Sequence, residues 1–255
     1  MMDAHPNMVI SHEYQLLPRC VTQDKSFLKD KSAIFNALYN NSYKEATSGE
    51  RSEGKRTRKG YNLHVSTPWQ GAFTNLRVIG DKGGMKVSKL FSYRYRKAKE
   101  CLQVLMDIVE VPLFVFHVVR NPYDIIATEV IYATTKQYDM QAKDLTVAKP
   151  EDKDVLFFAD QTIMLAAAVA RVMELTKVVE IHSDDFIADP RKTVRDICST
   201  LGLPCPEEYV EACYEKAYKK SSKSRYNMEW PPDMLQYVGN NLKNYSFFSR
   251  YTFDL

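Results

Sequence analysis

The segment Leu113-Phe114-Val115-Phe116-His117-Val118-Val119, opened by Pro112 and closed by Arg120-Asn121-Pro122, constrains this chain more than any other. An apolar run of this kind, rich in β-branched and aromatic residues, reads as a strand covered on both faces. Strands of that type sit inside parallel sheets, and each parallel neighbour needs a crossover connection, usually a helix. Pro122 pre-sets a first helical turn, so a helix is expected from about Tyr123. Arg120 would then stand at the carboxyl end of a buried strand, just ahead of that helix.

The rest of the chain supplies the partners for such a sheet. Short strands are expected at Met8 to Ser11, at Leu76 to Ile79 (closed by Gly80-Asp81) and at Val178 to His182. Helical spacing runs over Asp24 to Tyr43, with Phe27, Ile34, Phe35 and Leu38 as candidate buried positions. It recurs over Val87 to Val109 and over Asp154 to Thr176. Further helices open at Asp189-Pro190, at Pro206 and at Trp230-Pro231-Pro232; the first of these ends at Gly202 and Pro204. Strands alternating with helices imply an α/β fold with an open, mainly parallel sheet and helices on both faces. No long linker interrupts residues 1–255, so one domain is expected, with an exposed, mobile, basic loop at about 44–60 that contains Lys55-Arg56-Thr57-Arg58-Lys59.

Composition narrows the function. The chain is 45% apolar and 26% charged, with a formal charge of +3. That mild excess suits an anionic ligand and gives no sign of nucleic acid. The five cysteines form no CxxC pair, so they read mainly as buried thiols rather than a zinc site, with one disulfide among Cys198, Cys205 and Cys213 left open. The N-terminus carries Asp3, His5, His12 and Glu13 where a signal peptide would be apolar. Val155 to Leu175 is apolar but contains Asp160, Gln161 and Arg171, and is read as a buried helix rather than a membrane span.

In open parallel sheets, ligands bind beyond the carboxyl ends of the strands. Those ends gather His12 and Glu13, then Asp81 and Lys82, then Arg120, then Ser183, Asp184 and Asp185. A guanidinium at Arg120 can fork onto a phosphate, and Thr128, two helical turns on, can bring a hydroxyl to the same anion. The competing reading pairs Arg120 with Asp124 and leaves Thr128 as a packed helix residue.

Val118-Val119-Arg120-Asn121-Pro122 with Thr128 resembles the 3′-phosphate-binding segment of the sulfotransferase family, which has Arg-Asn-Pro at a strand end and a serine eight positions after the arginine; Thr128 replaces that serine and keeps the hydroxyl. His5-Pro6 with Glu13, Val78 to Lys82, and Asp184-Asp185 through Pro190 resemble other segments of that family in the same order. The resemblance implies a P-loop NTPase-like fold. It also implies a 3′-phosphoadenosine 5′-phosphosulfate donor bound through Arg120 and Thr128, with no metal. Glu13 is the implied catalytic base and Lys82 the cation beside the reacting sulfate; His12 rivals Glu13, because alternation along a strand lets only one of the two face the donor. The acceptor would be a hydroxyl on a carbohydrate or small molecule. Two features depart from the family. No Gly-rich 5′-phosphosulfate loop precedes His5-Pro6, so a truncated chain lacking the first strand is expected. The C-terminal basic run of the cytosolic branch is also missing, and Ser222-Lys223-Ser224-Arg225, with its two cations, is its candidate equivalent. A non-catalytic nucleotide-binding module and a relative of P-loop nucleotide kinases are the alternatives. The compartment stays open: cytoplasmic as the chain stands, or the Golgi lumen if an anchor has been lost. The sequons at Asn40 and Asn244 are compatible with the lumen.

Overall fold

A computed structural model describes residues 1–22, 28–48, 65, 71–137 and 147–254. Phe27, the start of the helix expected from Asp24, and residues 49–60 of the expected loop, with the basic run 55–59, lie outside the described residues, whereas residues 44–47 of that loop are instead helical, continuing the turns that precede them. The chain divides into two compact units, Met1–Leu113 with Asp185–Lys219, and Phe114–Asp184 with Lys220–Leu255.

The first unit holds a parallel pair of strands, β1 (Met8–His12) and β2 (Val78–Lys82), in the register Met8 to Val78 through His12 to Lys82. Helix α1 (Leu16–Thr22) follows β1, and α2 (Lys31–Thr47) covers the strand pair. Asp30 caps α2 by accepting from the Ala33 amide at 2.8 Å, the usual solution for the orphan donors of a helix start. The helix expected over Val87 to Val109 is two helices, α3 (Gly84–Tyr93) and α4 (Tyr95–Val109), because Arg94 leaves the helical region at φ −136°, ψ 39°. No glycine or proline stands there, so the break carries no sequence signal.

A buried histidine ties the start of this unit to its end. The His5 ring accepts from the Asn7 amide through Nδ1 at 3.0 Å and donates through Nε2 to the Pro204 carbonyl at 2.9 Å. The ring also lies edge-on to Tyr209 at 4.8 Å. Helix α8 (Pro190–Thr200), capped by Asp189, and α9 (Glu207–Lys216) pack together through Val194, Cys198, Tyr209, Val210 and Cys213.

The cysteines correct the reading of buried thiols. Cys20 pairs with Cys101, joining α1 to α4 across a sequence separation of 81, and Cys198 pairs with Cys205 across 7. Cys213 is free and buried, and burial pushes its thiol up in pKa.

The second unit holds the other parallel pair, β3 (Phe114–Val119) and β4 (Lys177–His182), in register from Phe114 and Lys177 to Val119 and His182. Helix α5 (Pro122–Gln137) packs on α6 (Asp152–Met173), and α10 (Pro232–Leu242) packs on α6. The core joins Val119, Ile126 and Val130 to Val155, Ala159, Val238, Phe247 and Phe248. Short α7 (Ser183–Ala188) runs across the boundary between the units. Among the described residues, α6 is the one helix long and apolar enough to cross a membrane. Its Val155, Ala159, Thr162 and Ala166 are nevertheless buried, and its Asp160 accepts from the Tyr237 hydroxyl at 2.6 Å, as in a packed core helix. The fold is thus α/β with short parallel sheets and many helices; what is seen of the expected sheet is two two-stranded ladders.

Candidate active site

Arg120 leaves β3 as expected and enters no ion pair with Asp124. Its Nη2 donates to the Ser224 hydroxyl at 3.1 Å and to the Ser222 carbonyl at 3.3 Å. Thr128 donates to the Asp124 carbonyl one turn back at 2.7 Å, and its Oγ1 shares a hydrogen bond with Ser224 Oγ at 3.0 Å. Ser222 Oγ lies 3.0 Å from the same Ser224 oxygen. One guanidinium and three hydroxyls therefore converge around Ser224, which sits in a short 3-10 helix, Ser224–Asn227.

Asp124 is engaged elsewhere. Its carboxylate accepts from the Arg225 amide at 2.9 Å and from Arg225 Nη1 at 2.6 Å, and both side chains are only 2% exposed. Arg225 also donates through Nε to the Phe253 carbonyl at 2.5 Å, and its own carbonyl accepts from Trp230 Nε1 at 2.9 Å. A buried charge needs this degree of pairing. The pair pins the Ser224 helix onto the start of α5, and so fixes the hydroxyls beside Arg120. The expectation that Ser222-Lys223-Ser224-Arg225 supplies two cations is corrected accordingly: Arg225 is consumed in the core, Lys223 is exposed, and the groups that reach Arg120 are the serines. Asn121 completes the turn. Its Oδ1 accepts from the Tyr123 amide and its Nδ2 donates to the Thr252 carbonyl, both at 3.0 Å.

Glu13 and Lys82 belong to the first unit. The Glu13 carboxylate lies 3.8 Å from Lys82 Nζ and 3.9 Å from His12 Nε2. The expected separation of His12 and Glu13 onto opposite faces does not hold. Strand geometry ends at His12, and Glu13 takes the left-handed conformation at φ 55°, which returns its carboxylate to the histidine. Asp81, the register partner of Ser11, turns inward and accepts from the Tyr14 amide at 3.1 Å and the Leu16 amide at 2.8 Å. Burial raises the Asp81 carboxyl, opposed by the amides of Leu16, Tyr14 and Gln15. Among the described residues, no group of three or more His, Cys, Asp or Glu is placed to hold a metal ion.

Residues 97–207 match the model of the sulfotransferase family. The match supports a sulfotransferase assignment for this chain. It includes Arg120 and Thr128, while Glu13, Lys82, Ser222 and Ser224 lie outside the matched residues. No curated protein matches the chain. At the level of the family, the match suggests sulfotransfer activity in general, and a guanidinium flanked by hydroxyl groups suits a phosphate-bearing ligand.

Proposed function

We propose that this sulfotransferase moves a sulfuryl group from 3′-phosphoadenosine 5′-phosphosulfate to a hydroxyl acceptor. The observation that carries the reading is the convergence of Arg120 and Thr128 on Ser224. The Arg120 guanidinium donates to a serine hydroxyl and a carbonyl, both neutral. A phosphate dianion is a better acceptor for the same donors, since charge-assisted hydrogen bonds are about twice as strong as neutral ones. Arg120, Thr128, Ser222 and Ser224 would hold the 3′-phosphate, with exposed Lys220 and Lys223 adding positive potential nearby in the chain.

The donor supplies the sulfuryl group. Glu13 takes the proton of the acceptor hydroxyl as the acceptor oxygen bonds to sulfur. The bond from sulfur to the bridging oxygen breaks, and its electron pair leaves with 3′-phosphoadenosine 5′-phosphate. Lys82 counters the charge that grows on that oxygen. Such transfers rest on positioning and charge stabilisation rather than on protein covalent chemistry. Glu13 and Lys82 fit these tasks because each is reachable from solvent, at 48% and 57% exposure, and neither is locked in a buried pair.

Calorimetric titration with 3′-phosphoadenosine 5′-phosphate tests the reading. Binding is expected for the wild-type chain and is expected to weaken at least tenfold in Arg120→Ala. Adenosine 5′-phosphate, which lacks the 3′-phosphate, is expected to bind far more weakly. Equal affinity for the two nucleotides, or binding indifferent to Arg120→Ala, overturns it. Sulfate transfer by the chain is then measured against a panel of hydroxyl acceptors.

A further inference from the structure

We propose that Asp81 is a positioning residue: its carboxylate clamps the turn between β1 and α1, so that the Glu13 carboxylate is held beside His12 and Lys82. The proposal rests on the sulfuryl-transfer reading above and adds what aims the base.

Two residues of this turn, Glu13 at φ 55° and Gln15 at φ 64°, take the left-handed conformation although neither is glycine. Residues with a Cβ avoid that region, and persist there only where the surroundings over-determine it. The surroundings here are the two oxygens of Asp81. Oδ1 accepts from the Tyr14 amide and Oδ2 from the Leu16 amide. Amides of one turn curled around one anion form a concave site, and the anion here is a side chain of the neighbouring strand.

The register makes the clamp local to the candidate base. Ser11 pairs with Asp81 and His12 pairs with Lys82, so one strand pairing places both the clamp and the cation. Three further hydrogen bonds close the same turn. Asn41 on α2 donates to Ser11 Oγ at 2.7 Å and to the His12 carbonyl at 3.4 Å, and Arg19 Nε donates to the Tyr14 carbonyl at 2.7 Å. Asp81 is not a second base, because its oxygens already face amide donors. The two neighbouring carboxylates thus divide the work, Asp81 shaping the backbone and Glu13 facing solvent.

The test compares wild type, Asp81→Asn, Glu13→Gln and the double variant in two measurements. One is sulfate release from 3′-phosphoadenosine 5′-phosphosulfate with water as acceptor, read as kcat and KM. The other is amide hydrogen exchange at Tyr14 and Leu16. Asp81→Asn is expected to lower kcat about tenfold to a hundredfold, the scale of a displaced catalytic group, with KM unchanged. It is expected to speed exchange at both amides. In the Glu13→Gln background, Asp81→Asn is expected to cost nothing further, which a merely structural role would not produce. Adding Gln15→Gly, which relieves one left-handed residue, is expected to restore part of kcat. Unchanged kcat in Asp81→Asn, a full additional loss in the double variant, or unprotected amides in the wild type would each overturn the proposal. If the wild type neither binds the donor nor releases sulfate, the sulfotransfer reading falls, while the exchange data still decide whether Asp81 holds the turn.

Discussion

The two units are held together by different chemistry. All five cysteines fall in the first unit, where two disulfides link α1 to α4 and close the end of α8, whereas Phe114–Asp184 and Lys220–Leu255 contain none. The second unit relies instead on a broad aromatic core around Tyr123, Trp230, Phe247 and Phe253, and on the buried Asp124–Arg225 pair. The candidate functional groups follow the same division. Arg120 and Thr128 are built onto that pair, while Glu13 and Lys82 make only long, solvent-exposed charge contacts above a backbone clamp. An anchoring pocket gains from rigidity. A base that must meet and release an acceptor gains from access.

The contrast breaks most clearly at Asp124. Asp124→Ala leaves Arg225 charged and buried, and is expected to cost about 3–5 kcal/mol of stability, the range for breaking a buried pair from one side. Urea unfolding measures it, and a cost below 1 kcal/mol would show that the pair is not what holds the unit. Nucleotide binding should weaken with it, since the Ser224 helix loses its anchor.

In the first unit the corresponding experiment is removal of a disulfide. In the chain-entropy picture, losing Cys20–Cys101 costs about 4.5 kcal/mol and losing Cys198–Cys205 about 2.5, because the first closes the longer loop. Cys20→Ser and Cys198→Ser variants, unfolded side by side, test that order. Nucleotide affinity should respond less to either than to Asp124→Ala.

A smaller effect separates the units by pH. His117 on β3 has a buried Nδ1 with no partner, and burial, helped by the neighbouring charge of His182, holds the imidazole down to about 4. Its ordinary value is 6.5, so below that pH the unfolded chain takes up a proton that the native chain refuses. Stability should therefore be complete above pH 6.5 and fall by about 2 kcal/mol as pH drops toward 4. His117→Phe, which keeps a ring against Phe247, should flatten that part of the profile. His5, lowered by burial in the first unit, should leave a residual slope of the same sign.

The smallest effect is expected at Lys82. Its contact with Glu13 is exposed, so Lys82→Met should change stability by less than about 1 kcal/mol. The same variant should lose most of the transfer activity, and a large stability loss would show that Lys82 is structural.

How much of this was legible depended on sequence distance. Arg120 and Thr128 could be read because a strand end and two helical turns fix their relation within nine positions of chain. The run Ser222 to Arg225 was singled out only for its two cations; that its serines are what reach Arg120 could not be read, since about a hundred residues separate them and nothing in a polar run announces its neighbour. The fate of Arg225 was hidden for the same reason: an arginine in a basic stretch reads as solvated until a buried aspartate is placed beside it. The left-handed turn at Glu13 escaped because backbone signals are carried by glycine and asparagine, and here a carboxylate on another strand imposes the conformation. Apolar runs placed three of the four strands within one residue at each end, whereas β2 runs three residues past its expected end at Ile79, through the Gly80-Asp81 expected to close it. The division of the strands into two ladders and the break at Arg94 could not be read, because pairing is a long-range property and Arg94 has no local marker.

The unpaired Cys213 has a consequence for how the chain reaches its native state. It lies in the same small cluster as Cys198 and Cys205, so three thiols must resolve into one bond and one spectator. Until α8 and α9 close, Cys213 competes with Cys205 for the same partner, and a chain that pairs wrongly is trapped until a thiolate attacks and reshuffles it. Oxidative refolding should therefore be faster and higher in yield for Cys213→Ala than for wild type, and added disulfide isomerase should help the wild type more than the variant.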